Sequence, residues 1–109
     1  MKDRFSEDEV ITTVERLTRS QLVRFIEVEF VKPQKEGGGY VFRRIDIARL
    51  ELLCDLSEDF EMDETALEVV ISLIDQLHGA RRDLLAMARA IDALPPDLRT
   101  RVEAALRAS

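Results

Sequence analysis

The side chains best able to act on another molecule are carboxylates gathered in one segment. Residues Glu51 to Glu68 contain eight acidic side chains and no basic one. Such a block is either an ordinary solvated surface or a patch that steers a basic partner towards the chain. We hypothesise a partner-binding surface, with Asp63 left out because it is placed to cap a helix. Its members are Glu51, Asp55, Glu58, Asp59 and Glu61.

Catalytic and metal chemistry has little support in the sequence. The carboxylates have no matching His or Lys that would nominate an acid–base pair, and no Ser-His-Asp set is identifiable. Gly37-Gly38-Gly39 lacks the Gly-Lys-Ser/Thr of a phosphate loop. His78 has neither a second His nor a suitably placed Cys for metal ligation. We therefore expect no enzyme, no cofactor and no metal, with Cys54 as a small buried hydrophobic residue.

Composition favours a globular protein of the reducing cytosol. The 109 residues are 46% hydrophobic and 35% charged, enough for one domain with a modest core. A single cysteine allows no internal disulfide. Lys2-Asp3-Arg4 follows Met1 and no apolar run comes after it, so no signal peptide is expected. The longest apolar runs are too short for a membrane span. The net charge of −6 argues against a simple DNA binder, because duplex DNA favours clustered Lys and Arg.

Two helix starts near the N-terminus share one local pattern. Ser6 and Glu9 can form a capping box, with Phe5 and Val10 as the hydrophobic staple. The pattern repeats with Thr18 as cap. Two short helices joined by a tight turn indicate a helix-turn-helix.

A β-hairpin is expected next. One short apolar run ends at Phe30-Val31, and Tyr40-Val41-Phe42 forms the other. Between them Pro33 marks a strand end, and Gly37 to Gly39 permit a tight reversal. A hairpin among helices after a helical pair is the outline of a winged helix-turn-helix.

Three further helices complete the predicted architecture. The third starts between Arg43 and Asp46 and ends near Ser57-Glu58; a long helix follows from Asp63, with a possible break at His78-Gly79. Leu94-Pro95-Pro96 ends it and precedes a short tail helix. The predicted organisation is a winged helix-turn-helix body over 1–62, a long dimerisation helix over 63–94 and a tail helix over 95–109.

Apolar residues of the long helix recur at spacings of four and three, as in a coiled-coil seam. A seam of this length exceeds what a small winged-helix body can cover, so we expect a homodimer. The alternative is an antiparallel pair with the tail helix of the same chain. The residues expected to face a second copy are Val70, Ile74, Leu77, Leu84 and Ile91.

The order of elements resembles the MerR-like DNA-binding architecture. Within it, the chain is similar to the chaperone modulatory proteins that regulate the curved-DNA-binding J-domain co-chaperone of bacteria. The similarity covers roughly residues 10–92. It depends on Phe30-Val31-Lys32-Pro33, Tyr40-Val41-Phe42, the apolar helix from Ile45 to Leu56, Met62-Asp63, and Ile71 to Leu77 leading to Leu84-Leu85 and Ile91.

This resemblance implies a bacterial cytoplasmic adaptor that binds the J-domain of a DnaJ-like co-chaperone and restrains its stimulation of Hsp70. It also implies a dimer through the long helix. J-domains as a class present a basic second helix to Hsp70, so the acidic segment is the expected docking face. Arg43-Arg44 departs from the acidic residues expected at the start of the third helix.

A MerR-like transcriptional regulator that binds DNA as a dimer is the alternative. In such a protein the second helix enters the major groove and the wing contacts phosphates. Interleaved acids, among them Glu27, Glu29 and Glu36, oppose this interpretation. The candidate contacts are Arg19, Gln21 and Arg24 on the second helix, with Lys35, Arg43 and Arg44 around the wing.

Overall fold

The computed structural model describes residues 2–109, and it is mainly helical with one two-stranded antiparallel hairpin. The chain forms two compact units, one ending at Ile71 and the other covering Ser72–Ser109. The elements in chain order are α1 (Glu7–Thr13), α2 (Arg19–Glu27), β1 (Gln34–Glu36), β2 (Gly39–Val41), α3 (Arg44–Glu58), α4 (Glu64–Asp92) and α5 (Pro96–Arg107).

The first unit contains all the buried apolar side chains found among the described residues. They come from α1, α2, α3, the connections between these elements and the first turns of α4. Cys54 belongs to this core, as the sequence predicted. The full set is Val10, Val14, Leu17, Leu22, Phe25, Phe30, Val31, Phe42, Ile47, Leu50, Leu53, Cys54, Leu67 and Ile71.

Both predicted capping boxes are present. The Glu9 backbone N–H donates to Ser6 Oγ at 3.1 Å, and the Ser6 N–H donates back to Glu9 Oε1 at 3.0 Å. Thr18 and Gln21 repeat the pair at 3.2 and 2.9 Å. These bonds satisfy orphan donors at each helix start and so fix where α1 and α2 begin.

The prediction that Phe30 and Val31 end a strand is wrong, because these residues follow a helical C-cap. Glu29 has a positive φ of 61°, and its N–H donates to Ile26 O at 3.1 Å. The Phe30 N–H donates to Phe25 O at 2.9 Å, and the two rings lie 6.2 Å apart. This is a Schellman motif with its usual apolar contact. It sends Phe30 and Val31 into the core instead of into a sheet.

The hairpin therefore begins after Pro33. Gln34 pairs with Val41 and Glu36 with Gly39, which leaves Gly37-Gly38 as a two-residue turn. Both glycines have positive φ, 56° and 82°, as a type I′ turn requires. We call Gln34–Val41 the wing.

The base of the wing is pinned by a residue far away in sequence. Phe5 and Phe42 form an isolated antiparallel bridge, with N–H···O distances of 2.9 and 2.8 Å in the two directions. Phe42 is fully buried. The segment before α1 thus holds the wing against the helical core.

Helix α3 begins where the sequence predicted, although without a side-chain cap. Arg43 has no acceptor in its side chain, and only its backbone N–H is satisfied, by Asp46 Oδ2 at 2.8 Å. Helix α4 has the predicted cap, since the Ala66 N–H donates to Asp63 Oδ1 at 2.9 Å.

The second unit consists of helix only. Helix α4 continues through His78 and Gly79 without interruption, and Pro96 opens α5. No residue from Ser72 to Ser109 is buried. Within the part of the chain that the structure describes, no helix is both long and apolar enough to cross a membrane.

Candidate partner-binding surfaces

Three of the predicted acidic residues, Asp55, Glu58 and Asp59, come together at the C-terminal end of α3 and at the start of the connection to α4. Glu51, Asp55 and Glu58 lie on α3, and Asp59 and Glu61 follow it. All five are exposed. We call these five residues together with Phe60 the junction surface.

Arg16 lies among these carboxylates, although nothing in the sequence indicated this contact. Arg16, in the α1–α2 connection, donates from Nε to Glu58 at 2.7 Å and from Nη2 to Asp59 at 2.7 Å. Its Nη1 reaches Asp55 at 3.1 Å. One guanidinium therefore holds three of the five carboxylates, and the cluster keeps an excess of negative charge.

We call Arg16 and its three carboxylate partners, Asp55, Glu58 and Asp59, the Arg16 clamp. The clamp changes the pKa of one of its carboxyl groups. The hydrogen bond from Arg16 lowers the pKa of Asp59, with a further contribution from the guanidinium charge.

Burial raises the pKa of the Cys54 thiol to about 11, and the charges of Glu58 and Asp55 add to the rise. Cys54 is thus a buried, protonated thiol and not a reactive thiolate.

Phe60 is the apolar member of the junction surface. Its side chain is 69% exposed, the largest value among the large hydrophobic residues. The following residue, Glu61, has a positive φ of 51°, and the Met62 N–H donates back to Leu56 O at 3.2 Å. This turn leaves the Phe60 ring exposed between two acidic residues of the chain, Asp59 and Glu61.

The residues proposed for DNA contact are largely engaged within the protein. Arg24 makes a bidentate pair with Glu64, Nε–Oε2 2.6 Å and Nη2–Oε1 2.8 Å, which lowers the pKa of Glu64. Arg19 pairs with Asp8 and Glu7. The Gln21 side chain completes the Thr18 capping box.

The remaining candidates lie around the wing and the start of α3. Lys35, on β1, sits 5.9 Å from the centre of the Tyr40 ring. Arg44 opens α3 and donates to the Lys2 carbonyl at 2.8 Å, and Arg43 is exposed just before it. Only part of the predicted basic cluster is therefore presented to a ligand.

The predicted dimer residues fall into two groups. Leu77 and Leu84 are each 66% exposed. Val70, Ile74 and Ile91 are half-buried. Other large apolar residues of α4 are also exposed, notably Leu73, Leu85 and Met87.

Sequence reasoning missed Arg16 because nothing near it in the chain signals its partners. It is separated from the three carboxylates by 39 to 43 residues. Among residues 2–109, no group of three or more His, Cys, Asp or Glu side chains could hold a metal ion. Comparison of the chain with protein-family models, curated proteins and solved structures found no match. The MerR-like fold therefore stays a prediction.

Proposed function

We propose that this chain is a non-catalytic adaptor that binds the J-domain of a DnaJ-like co-chaperone in the bacterial cytoplasm and modulates its work with Hsp70. The observation that carries the proposal is the junction surface, where the exposed Phe60 lies in the chain between the exposed carboxylates of Asp59 and Glu61. The resemblance of residues 10–92 to chaperone modulatory proteins supports the same partner.

The chemistry of the two surfaces is complementary. A J-domain offers Lys and Arg on its second helix, and the junction surface offers five carboxylates against one guanidinium. Exposed charges of this kind mainly set the association rate and its salt dependence. A desolvated aromatic ring mainly sets the lifetime of the complex.

The ion pairs around Arg16 determine which acids should be mutated. Asp55, Glu58 and Asp59 hold Arg16, so reversing them would disturb the fold as well as the surface. Glu51 and Glu61 form no ion pair within residues 2–109. The informative variant is therefore Glu51→Lys/Glu61→Lys.

Association kinetics with an isolated J-domain, measured at several ionic strengths, test the proposal. We expect Glu51→Lys/Glu61→Lys to slow association about tenfold at low salt and much less at high salt. Phe60→Ala should speed dissociation about tenfold or more. Asp83→Lys/Asp92→Lys changes the net charge equally but lies in the second unit, so it is the matched control.

Equal on-rates for the junction and control variants would place the site elsewhere. Absence of any J-domain binding at about 100 μM, where even weak complexes form, would contradict the proposed function itself.

The order of helix pair, hairpin and long helix gives some support to the second candidate, a MerR-like regulator that binds DNA as a dimer. The internal ion pairs of Arg19 and Arg24 and the net charge of −6 oppose it. Titration of labelled duplex DNA at rising salt separates the two candidates. A log–log slope equivalent to about six or more phosphate contacts would favour the regulator.

A further inference from the structure

Arg16 holds three carboxylates of the junction surface with all three nitrogen atoms of its guanidinium group. Nε contacts Glu58 at 2.7 Å, and Nη1 contacts Asp55 at 3.1 Å. Nη1 and Nη2 contact the two oxygens of Asp59 at 3.1 and 2.7 Å, so both oxygens of that carboxylate are taken. Such a forked contact with a carboxylate requires the planar guanidinium of arginine.

The backbone that carries Arg16 is held by other contacts. Arg16 lies in the connection between α1 and α2, which runs from Val14 to Thr18. Val14 and Leu17, on either side of it, belong to the buried core. The Leu17 N–H donates to Val14 O at 3.1 Å and closes a turn. The guanidinium can therefore leave the carboxylates by rotation of its side chain while the connection stays in place.

The ion pairs of the Arg16 clamp are open to solvent. The Arg16 side chain retains 40% of its exposure, and its three carboxylate partners retain 37% to 56%. Exposed ion pairs contribute little to stability, because water screens the charges and the long side chains lose freedom when they pair. An approaching cation can therefore replace Arg16 at little cost to the fold.

A basic partner meets two kinds of carboxylate on the junction surface. Glu51 and Glu61 form no ion pair within residues 2–109, so they are open to the partner. The carboxylates of the Arg16 clamp are occupied, and a second cation beside Arg16 would lie close to a like charge and be repelled. The partner's cation and Arg16 therefore compete for the same carboxylate oxygens.

We propose that Arg16 makes an autoinhibitory contact, which covers Asp55, Glu58 and Asp59 in the free chain and is displaced by an arginine of the partner on docking. The proposal rests on the adaptor function, because it concerns the regulation of the same surface. An arginine is the expected replacement because it offers the same forked guanidinium as Arg16.

The contact makes the junction surface more selective. A single basic side chain of an unrelated molecule gains from the clamp carboxylates only what Arg16 loses, so its net gain is small. A partner that also contacts Glu51, Glu61 and the exposed Phe60 makes contacts that no internal residue offsets. Discrimination between partners depends on such differences in affinity.

Binding of an isolated J-domain to two glutamine variants tests the proposal. Arg16→Gln frees the three carboxylates, so the dissociation constant should fall about three- to tenfold. Arg24→Gln is the matched control, because it changes the net charge equally and breaks a bidentate pair with Glu64 outside the junction surface. It should leave the constant within about twofold of the parent value. Circular dichroism at the binding temperature checks that both variants are folded.

A lysine variant separates the geometry of the contact from its charge. Arg16→Lys keeps the net charge at −6, but one ammonium group cannot hold three carboxylates as the guanidinium does. The dissociation constant for the J-domain should fall about two- to threefold below that of the parent. A constant equal to that of the parent would show that only the charge of Arg16 matters, and would overturn the proposal.

Nuclear magnetic resonance of the arginine Nε–H groups observes the displacement itself. In the free chain, Arg16 Nε donates to Glu58 at 2.7 Å and Arg24 Nε donates to Glu64 at 2.6 Å. When the J-domain is added, the Arg24 signal should stay, whereas the Arg16 signal should shift to that of an unpaired arginine in fast exchange with solvent. An Arg16 signal that keeps its carboxylate-bound position in the complex would contradict displacement.

An octa-arginine peptide separates failure of this proposal from failure of the adaptor function. It offers guanidinium groups without being a J-domain, and Arg16→Gln should bind it at least about threefold more tightly than Arg24→Gln does. If this difference is found and the parent binds no J-domain, the adaptor function fails and the autoinhibitory contact stands. If both variants bind the J-domain equally, the adaptor function stands and the autoinhibitory contact is overturned.

Discussion

The two units of this chain differ in how far they bury their apolar side chains. Up to Ile71, fourteen apolar residues are buried in one core, and ion pairs such as those of Arg16 join segments distant in sequence. From Ser72 onward no residue is buried, although this shorter unit contains seven leucines, as many as residues 1–71. The first unit therefore has a hydrophobic core of its own. The second unit contains enough apolar side chains for a core, but its two helices alone bury none of them fully.

The largest change in unfolding free energy should come from replacing one leucine in each unit by alanine and comparing the two losses. Leu53→Ala deletes a fully buried side chain of the first unit and should cost about 2–5 kcal/mol of unfolding free energy. Leu77→Ala changes a residue that is 66% exposed and should cost less than about 1 kcal/mol in a dilute, monomeric sample. Urea denaturation of both variants at about 1 μM is the measurement. Equal losses would show that the second unit has a closed core of its own.

A smaller effect is expected from the Arg16 clamp. Arg16→Gln removes the cation that holds Asp55, Glu58 and Asp59, and should lower Tm by about 2–4 °C at neutral pH and low salt. Arg99→Gln removes a single helical pair in the second unit and is the matched control. It should change Tm by less than about 1 °C.

The clamp also predicts a pH dependence. The pKa of Asp59 is lowered in the folded state by its hydrogen bond from Arg16. The contribution is therefore present above the ordinary pKa of a carboxyl group and is lost as the pH falls through the lowered one. The Tm difference between parent and Arg16→Gln should thus shrink on acidification. A difference that is constant from pH 7 to pH 2 would contradict this account of the clamp.

The smallest effect concerns the end of α2. Glu29 adopts a left-handed conformation that costs little only for glycine. Glu29→Gly should therefore stabilise the protein by about 0.5 kcal/mol, after allowing for the extra freedom of the unfolded chain. Glu27→Gly, at the last residue of α2, should destabilise it by about 0.5 kcal/mol. Thermal unfolding of the pair checks the sign, and loss of stability in both variants would show that the cap is not strained.

Local features were predictable from the sequence because each depends on residues a few positions apart. The capping boxes at Ser6 and Thr18, the Asp63 cap and the Gly37-Gly38 turn are all confirmed. The mainly helical class with a small hairpin and a long helix is confirmed as well. The exception is Phe30-Val31, whose apolar pattern cannot distinguish a strand from a chain reversal that buries the same two side chains.

Features that depend on distant contacts were not predictable. The position of Arg16 among the carboxylates and the bridge between Phe5 and Phe42 each join residues more than thirty apart. The exposure along the predicted seam of α4 was not predictable either. Leu77 and Leu84 are exposed, whereas Val70, Ile74 and Ile91 are half-buried.

Amide hydrogen exchange at two protein concentrations tests most directly the contrast between the buried core of the first unit and the predicted pairing of the second unit with a second copy. We predict that the amides of α2 and α3 are protected equally at about 1 and 100 μM. Those of α4 beyond Ser72 and of α5 should be protected only at the higher concentration, and Leu84→Glu should abolish that gain while Ala86→Glu retains it. Protection of residues 76–107 that matches the core at 1 μM would contradict the account.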